Sequence, residues 1–327
     1  MTQASIDVLY IGGTGRSGST MLLRVLGTLD QHFPTGELSR IWKGHVILNH
    51  LCGCGESFRD CEFWNAVMDD AFGGIDQVDA AHLISLQEST QGWRHLPMLA
   101  TPALRTPAFQ RRLREYAAAL EALYLAIARV SGSRVLIDAS KMPAHAFVLA
   151  EIPSIRPRMI HLVRDSRACV YSWQRKKKLV GVPGETQYMH RYNHFHTSVD
   201  WNVNHTFLRI AARRYASYAA YRYEDIASDP RLVLTEMAET LGMSGTSGIP
   251  FVSDDSVSLG PDHSLWGNPN RFERGVITIR PDMEWQDRMS TSQRAQVTML
   301  TLPWLARFGY LAKENTNRTR RQRMPTV

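Results

Sequence analysis

The sequence predicts an α/β fold, a parallel sheet of about five strands flanked by helices on both faces, with loop-rich insertions. Three observations predict it. Short apolar, β-branched segments recur along the chain, helix-period patterns separate them, and a glycine-rich loop joins the first such segment to a helix.

The first strand is read at Val8–Gly12, within the apolar run IDVLYI, and an amphipathic helix from Met21 to Leu29. Between them, Gly13 to Thr20 reads GTGRSGST and fits the phosphate-cradling pattern G-x-x-x-x-G-K-[ST] except at Ser19, which replaces the lysine. Free N–H groups and the helix dipole make such a strand-to-helix turn an anion site. The span Gln31 to Thr106 is rich in Gly, Pro, Trp and Cys and is expected to hold short helices and loops forming one wall of a pocket. A long helix follows at Pro107–Val130, with Leu113, Leu120, Leu123 and Ile127 on one face and Gly132 as its stop. Further strands are read at Val135–Asp138, Met159–Val163 and Ala216–Tyr221. A second irregular region runs from Val180 to Val199. The helix Trp201–Arg214 packs on one face, with Asn204 directed at the pocket. Ser253–Met289 is Gly-, Pro- and Asp-rich, and Thr291–Phe308 is the final helix. Residues 1–314 are expected to form a single domain, and 315–327 a basic, disordered tail.

Composition bounds the partners. The 327 residues carry a net charge of +7, but Arg318, Arg320, Arg321 and Arg323 lie in the acid-free tail, and setting these four aside leaves +3. No nucleic-acid partner is expected for the folded part. Nothing approaches the roughly 20 apolar residues of a membrane helix, and residues 1–5 lack a signal-peptide pattern, so a cytoplasmic protein is expected. Cys52, Cys54 and Cys61 form C-x-C-x6-C, which lacks the usual C-x2-C pair and a fourth zinc ligand. Reduced thiols or one local disulfide are the expectation, and no metal.

A nucleotide-hydrolysing site needs the loop lysine and a metal-binding carboxylate. Here the only cation in the loop is Arg16, and Asp138 is the one candidate carboxylate after a core strand. Arg164 ends the third predicted strand and Ser172 follows eight residues later, about 2.2 helical turns, so both can converge on one phosphate. A structural salt bridge of Arg164 is the competing reading.

Together, GRSGST and RDSRACVYS resemble the sulfotransferases that use 3′-phosphoadenosine 5′-phosphosulfate (PAPS) as co-substrate. RYEDIASDP at Arg222–Pro230 extends the resemblance, and HSLWGNPNRF at His263–Phe272 and LCGCGESFRDCEFW are similar to segments of the bacterial members. The resemblance implies a nucleotide-kinase-like sheet and transfer of a sulfuryl group to a hydroxyl acceptor. By it, Gly15, Arg16, Ser17, Gly18, Ser19 and Thr20 surround the 5′-phosphosulfate, and Lys141 is a second cation there. Arg164 and Ser172 hold the 3′-phosphate, Tyr223 lies near the nucleotide, and Gly267, Asn268 and Arg271 fold over the adenine and 3′-phosphate. A sulfuryl group carries less charge than a phosphoryl group, so positioning by N–H groups and cations suffices without a metal. Glu37, 21 residues after Arg16, matches the glutamate base of the tyrosylprotein and related Golgi enzymes. A place in the first turn of a helix begun by Thr35 or Ser39 is the alternative for Glu37. His190, His194 and His196 are the rival bases, and their spacing also permits a metal. The run Arg175–Lys178 is a solvated face or an aid to nucleotide entry. Pocket aromatics such as Trp42, Tyr188 and Tyr192 suit a lipid, sugar or phenolic acceptor equally. A P-loop small-molecule kinase and a non-catalytic nucleotide or nucleic-acid binder remain as rivals.

Overall fold

The computed structural model describes residues 5–181, 188–242 and 248–311, so the tail from 315 lies outside it. The chain opens with β1 (Ile6–Gly13), α1 (Ser19–Leu26) and β2 (His32–Gly36), followed by a 3-10 turn at Leu38–Arg40 and a π-helical segment at Ile41–Ile47. Four helices precede the next strand: α2 (Glu62–Phe72), α3 (Ala80–Gln91), α4 (Leu96–Ala100) and α5 (Pro107–Ser131). Strands and helices then alternate as β3 (Val135–Lys141), α6 (Pro143–Leu149), β4 (Ile155–Val163), α7 (Ser166–Gln174), α8 (His194–Ala212) and β5 (Ser217–Arg222). The C-terminal part holds α9 (Tyr223–Ser228), α10 (Pro230–Thr240), a small sheet of β6 (Phe251–Ser253), β7 (Ser256–Leu259) and β8 (Gly275–Thr278), and finally α11 (Glu284–Arg288) and α12 (Thr291–Arg307).

The main sheet has five strands in the order β2-β3-β1-β4-β5, all paired in parallel. Alternation along β1 divides the core. Val8 and Tyr10 face one apolar cluster with residues of α5, α6 and α8, and Leu9 and Ile11 face another with α1 and α10. Both faces are thus covered, as buried parallel strands require. Helix α5 starts on a Thr106 cap that accepts from Phe109 N–H and ends at Gly132 with φ 64°. Helix α8 is locked to β4 by His161 Nε2 and His205 Nδ1, 2.7 Å apart. Burial pushes His161 down to about 3, so the pair is neutral.

Two expectations are corrected. The fifth strand, β2, is HFPTG within the region read as helices and loops. Its proline and glycine conceal it, and it survives as a strand because it is an edge. Helix α8 begins at His194, so His194 and His196 are helical rather than in a loop. The Gly-, Pro- and Asp-rich C-terminal segment contributes the antiparallel pairs β6–β7 and β7–β8.

Candidate active site

Each of the five strands delivers one candidate residue at its C-terminal end, where open α/β sheets bind ligands. Strand β1 leads into the Gly-rich loop, β2 into Glu37, β3 ends on Lys141, β4 is followed by Arg164 and β5 by Tyr223. Above these ends lies a cavity of about 350 Å³, with the loop, Glu37, Lys141, Gly267 and Asn268 among its lining residues.

The loop folds as the sequence predicts, with Gly18 preceding α1 and no side chain capping the helix. Its first-turn N–H groups are therefore free for an anion. Gly15, Arg16, Gly18, Ser19 and Thr20 line the cavity. Ser17 is fully buried, and its Oγ has no partner. Arg16 has φ 71°, lies over the Trp173 ring at 4.8 Å, and leaves its buried Nε unpaired. Burial first, then Arg164 and Arg175, lowers the Arg16 pKa against the pull of Glu37.

Glu37 stands between β2 and the 3-10 turn, and its side chain makes no capping bond. Its carboxylate instead pairs with Lys141 Nζ at 2.5 Å, both side chains nearly buried. Lys141, at φ 66°, also donates from Nζ to Ala139 O at 2.9 Å. The preceding turn is fixed by Asp138, whose Oδ1 accepts from Ser140 N–H at 2.7 Å. Asp138 is fully buried, accepts from Tyr124 Oη and lies 3.2 Å from His145 Nε2. Burial opposes its charge, but these hydrogen bonds and His145 hold its pKa below the usual value. It shapes the Lys141 turn and is not among the residues lining the cavity.

Arg164 is buried. Its Nη1 donates to Arg16 O at 2.8 Å, its Nη2 reaches Asp282 Oδ2 at 3.0 Å, and its guanidinium lies 4.6 Å over Tyr223. Both the loop contact and the salt bridge are therefore present. Ser172 is buried on α7 beyond Arg164. Tyr223 packs its ring against Gly18, and its hydroxyl donates to Arg280 O at 3.2 Å. Gly267 and Asn268 lie on the N-terminus of α1, where Asn268 N–H donates to Thr20 Oγ1 at 3.1 Å. Arg271 is not among the lining residues and donates to Ser264 O at 3.0 Å and Leu51 O at 2.8 Å. In the basic run, Arg175 pairs with Glu284 at 3.0 Å, and Lys177 has its pKa lowered by burial, Arg16 and Arg175.

Sequence reasoning missed three contributors. Arg24 on α1, 3% exposed at its side chain, pairs with Asp262 and donates to three carbonyls, fastening the segment from 260 to 273 over the loop. Asp282 holds Arg164, and nothing in its surroundings in sequence announces that. Asp200 lines the cavity on α8, four residues from His196 and from Asn204, a spacing that places all three on one helix face. Of the histidine trio, His196 lines the cavity, stacked between Trp93 and Tyr192. Among the described residues the trio forms no group able to share a metal ion.

Burial pushes the Asp200 carboxyl up to about 6, outweighing Asn204 and His196. Between about pH 4 and 6 the folded protein therefore keeps a proton that the unfolded chain releases. Stability from this proton is full below about pH 4 and is lost as pH rises through about 6. Asp200→Asn, neutral throughout, is expected to gain on the order of 1–2 kcal/mol over the unmodified protein between about pH 4 and pH 8, read by urea unfolding. A difference independent of pH would show that burial does not perturb Asp200.

No curated protein sequence matches the chain. Among solved structures, it is similar to the sulfotransferase domain from the Synechococcus PCC 7002 olefin synthase, at 19% identity over 92% of this chain and 95% of that one, with a TM-score of 0.47. It is also similar to the sulfotransferase domain from the curacin biosynthetic pathway, at 16% identity over 90% and 96% of the two chains, with a TM-score of 0.43. The model of the sulfotransferase family matches residues 9–247, and the chain belongs to that family.

Proposed function

We propose that the protein transfers a sulfuryl group from PAPS to a hydroxyl-bearing small molecule, sugar or lipid, without a metal in the reaction. One observation carries this reading: cations crowd the Gly-rich loop with too few carboxylates to balance them. Burial lowers the pKa of Arg16 and of Lys177, and Arg164 and Arg175 lower both further. Among the described residues, neither Arg16 nor Lys177 has a carboxylate within ion-pair distance, whereas Asp282 and Glu284 serve Arg164 and Arg175. A ligand bearing several negative charges relieves that repulsion. The orphaned Ser17 Oγ and the orphaned Nε atoms of Arg16 and Arg164 fit the same guest.

In this reading the first-turn N–H groups of α1, with Ser19 and Thr20, hold the 5′-phosphosulfate, and Arg16 meets charge developing on the bridging oxygen. Arg164 and Ser172 receive the 3′-phosphate, the arginine exchanging Asp282 for it. Tyr223, Gly267 and Asn268 enclose the nucleotide, and Arg271 supports that wall through the carbonyls it holds. PAPS supplies an activated sulfuryl group on a good leaving phosphate. The acceptor hydroxyl loses its proton to Glu37, which Lys141 orients at 2.5 Å, as its oxygen attacks sulfur in line with the leaving group. Met142, Trp93, Tyr192 and Trp266 give the acceptor side of the cavity an apolar wall.

Adenosine 3′,5′-bisphosphate at about 100 times its Kd is expected to add about 2.7 kcal/mol of stability, raising Tm by roughly 5 °C. ATP with Mg²⁺ is expected to leave Tm unchanged. The reverse pattern would assign the loop to a kinase.

A further inference from the structure

The fourth ligand that C-x-C-x6-C lacks in sequence is supplied in space. His263, some two hundred residues later, brings Nδ1 to 3.6 Å from Cys52 Sγ and 3.3 Å from Cys61 Sγ. Cys54 Sγ lies 3.8 Å from Cys61 Sγ, and all four ligand atoms fall within 4.8 Å of one another. No disulfide joins the cysteines. A tetrahedral zinc ion, with sulfur at about 2.3 Å and nitrogen at about 2.0–2.1 Å, sets its sulfurs about 3.8 Å apart and sulfur about 3.6 Å from nitrogen. The spacings match those of an ion's coordination shell, and we propose that Cys52, Cys54, Cys61 and His263 bind one structural zinc ion.

The surroundings suit a closed Cys₃His site. The His263 ring stacks on Phe63 at 4.9 Å, and its carbonyl accepts from Trp64 Nε1 at 2.9 Å, which fixes the imidazole. Gly53 N–H donates to Ser264 O at 3.0 Å, joining the two ligand-bearing segments beside the site. Zinc with three thiolates carries one net negative charge. Two arginines hold the backbone beside it, Arg271 donating to Leu51 O at 2.8 Å and Arg274 to Cys54 O at 2.6 Å. Four protein ligands leave no open position, so the ion holds structure and performs no chemistry. It would staple the loop from Cys52 to Cys61 onto the strap beginning at His263. Two residues later, Leu265 O accepts from Glu37 N–H at 2.7 Å, so the staple bears directly on the segment that carries Glu37.

The test is metal analysis of the full chain, expressed without a histidine tag and purified without chelator. One zinc per chain is expected, with Cys52, Cys54 and Cys61 protected from alkylation until a chelator is added. Titration with a mercurial reagent should release the zinc as the thiols react. Cys52→Ser and His263→Gln should lose the metal, while Cys169→Ser, at the remote fourth cysteine, should retain it. If the ligand variants do not fold, cobalt(II) exchanged into the unmodified protein decides, through the visible bands of tetrahedral thiolate coordination. Metal-free protein with freely alkylated thiols, a disulfide within the trio, or zinc retained in folded His263→Gln and Cys52→Ser would overturn the proposal.

Discussion

Glu37→Gln is expected to lower kcat by about 10²–10⁴-fold, the usual worth of a general base, while nucleotide affinity stays nearly unchanged. The amide keeps the shape of the side chain and its place after β2, where the backbone N–H bonds Leu265 O at 2.7 Å, so the loop is not displaced. What it removes is the proton acceptor and the partner of Lys141. Lys141 retains Ala139 O as an acceptor, which limits the loss of stability from an unpaired ammonium. Calorimetric titration with adenosine 3′,5′-bisphosphate and single-turnover transfer to any working acceptor separate binding from chemistry. Undiminished transfer would move the base to Asp200 or His196, the other proton acceptors lining the cavity.

Residues that act through local chemistry were legible in the sequence, and residues that act by meeting across the fold were not. The loop from Gly13 to Thr20 announces itself because a phosphate cradle needs contiguous glycines and hydroxyls at a helix start. Arg164 is legible because it follows an apolar strand, and strand ends carry ligands in this architecture, whereas Lys141 is named through the family resemblance. β2 was hidden, because an edge strand tolerates Pro34 and Gly36 and has no need of a continuous apolar run. Asp282 and Arg24 carried no signal, since their partners Arg164 and Asp262 are more than one hundred residues distant. The cysteine trio shows the same division. Its spacing in sequence argued against a metal, and His263, which completes the cluster, lies in a segment noted only for family resemblance. His196, Asp200 and Asn204 repeat at four-residue intervals, but the helix expected from Trp201 excludes the first two, whereas the folded helix begins at His194 and carries all three.

Gly36→Ala is expected to be the most damaging glycine-to-alanine change among the described residues. Gly36 has φ 87°, and a Cβ there would lie 2.0 Å from Leu265 O and 2.3 Å from Leu265 N. Both contacts are with backbone, so no rotamer change relieves them. The parallel bridge between Gly36 and Leu265 must open, taking with it Leu265 N–H to Thr35 O and Glu37 N–H to Leu265 O. Left-handed strain of about 1–2 kcal/mol and two lost hydrogen bonds of about 1 kcal/mol each place the cost at about 3–4 kcal/mol. That corresponds to a fall in Tm of roughly 6 °C. Gly132→Ala supplies the control, because Gly132 has φ 64° but nothing within 4 Å of the added carbon. It carries the strain without the collision, and about 1 kcal/mol is expected from it. The difference between the two variants isolates the contact of the strap with β2. Transfer activity should fall with Gly36→Ala and survive in Gly132→Ala, since only the first displaces Glu37 from Lys141 and shifts Trp266, Gly267 and Asn268 at the cavity wall. Equal melting temperatures for the two variants, with activity kept in both, would mean that the strap does not hold Glu37 in place.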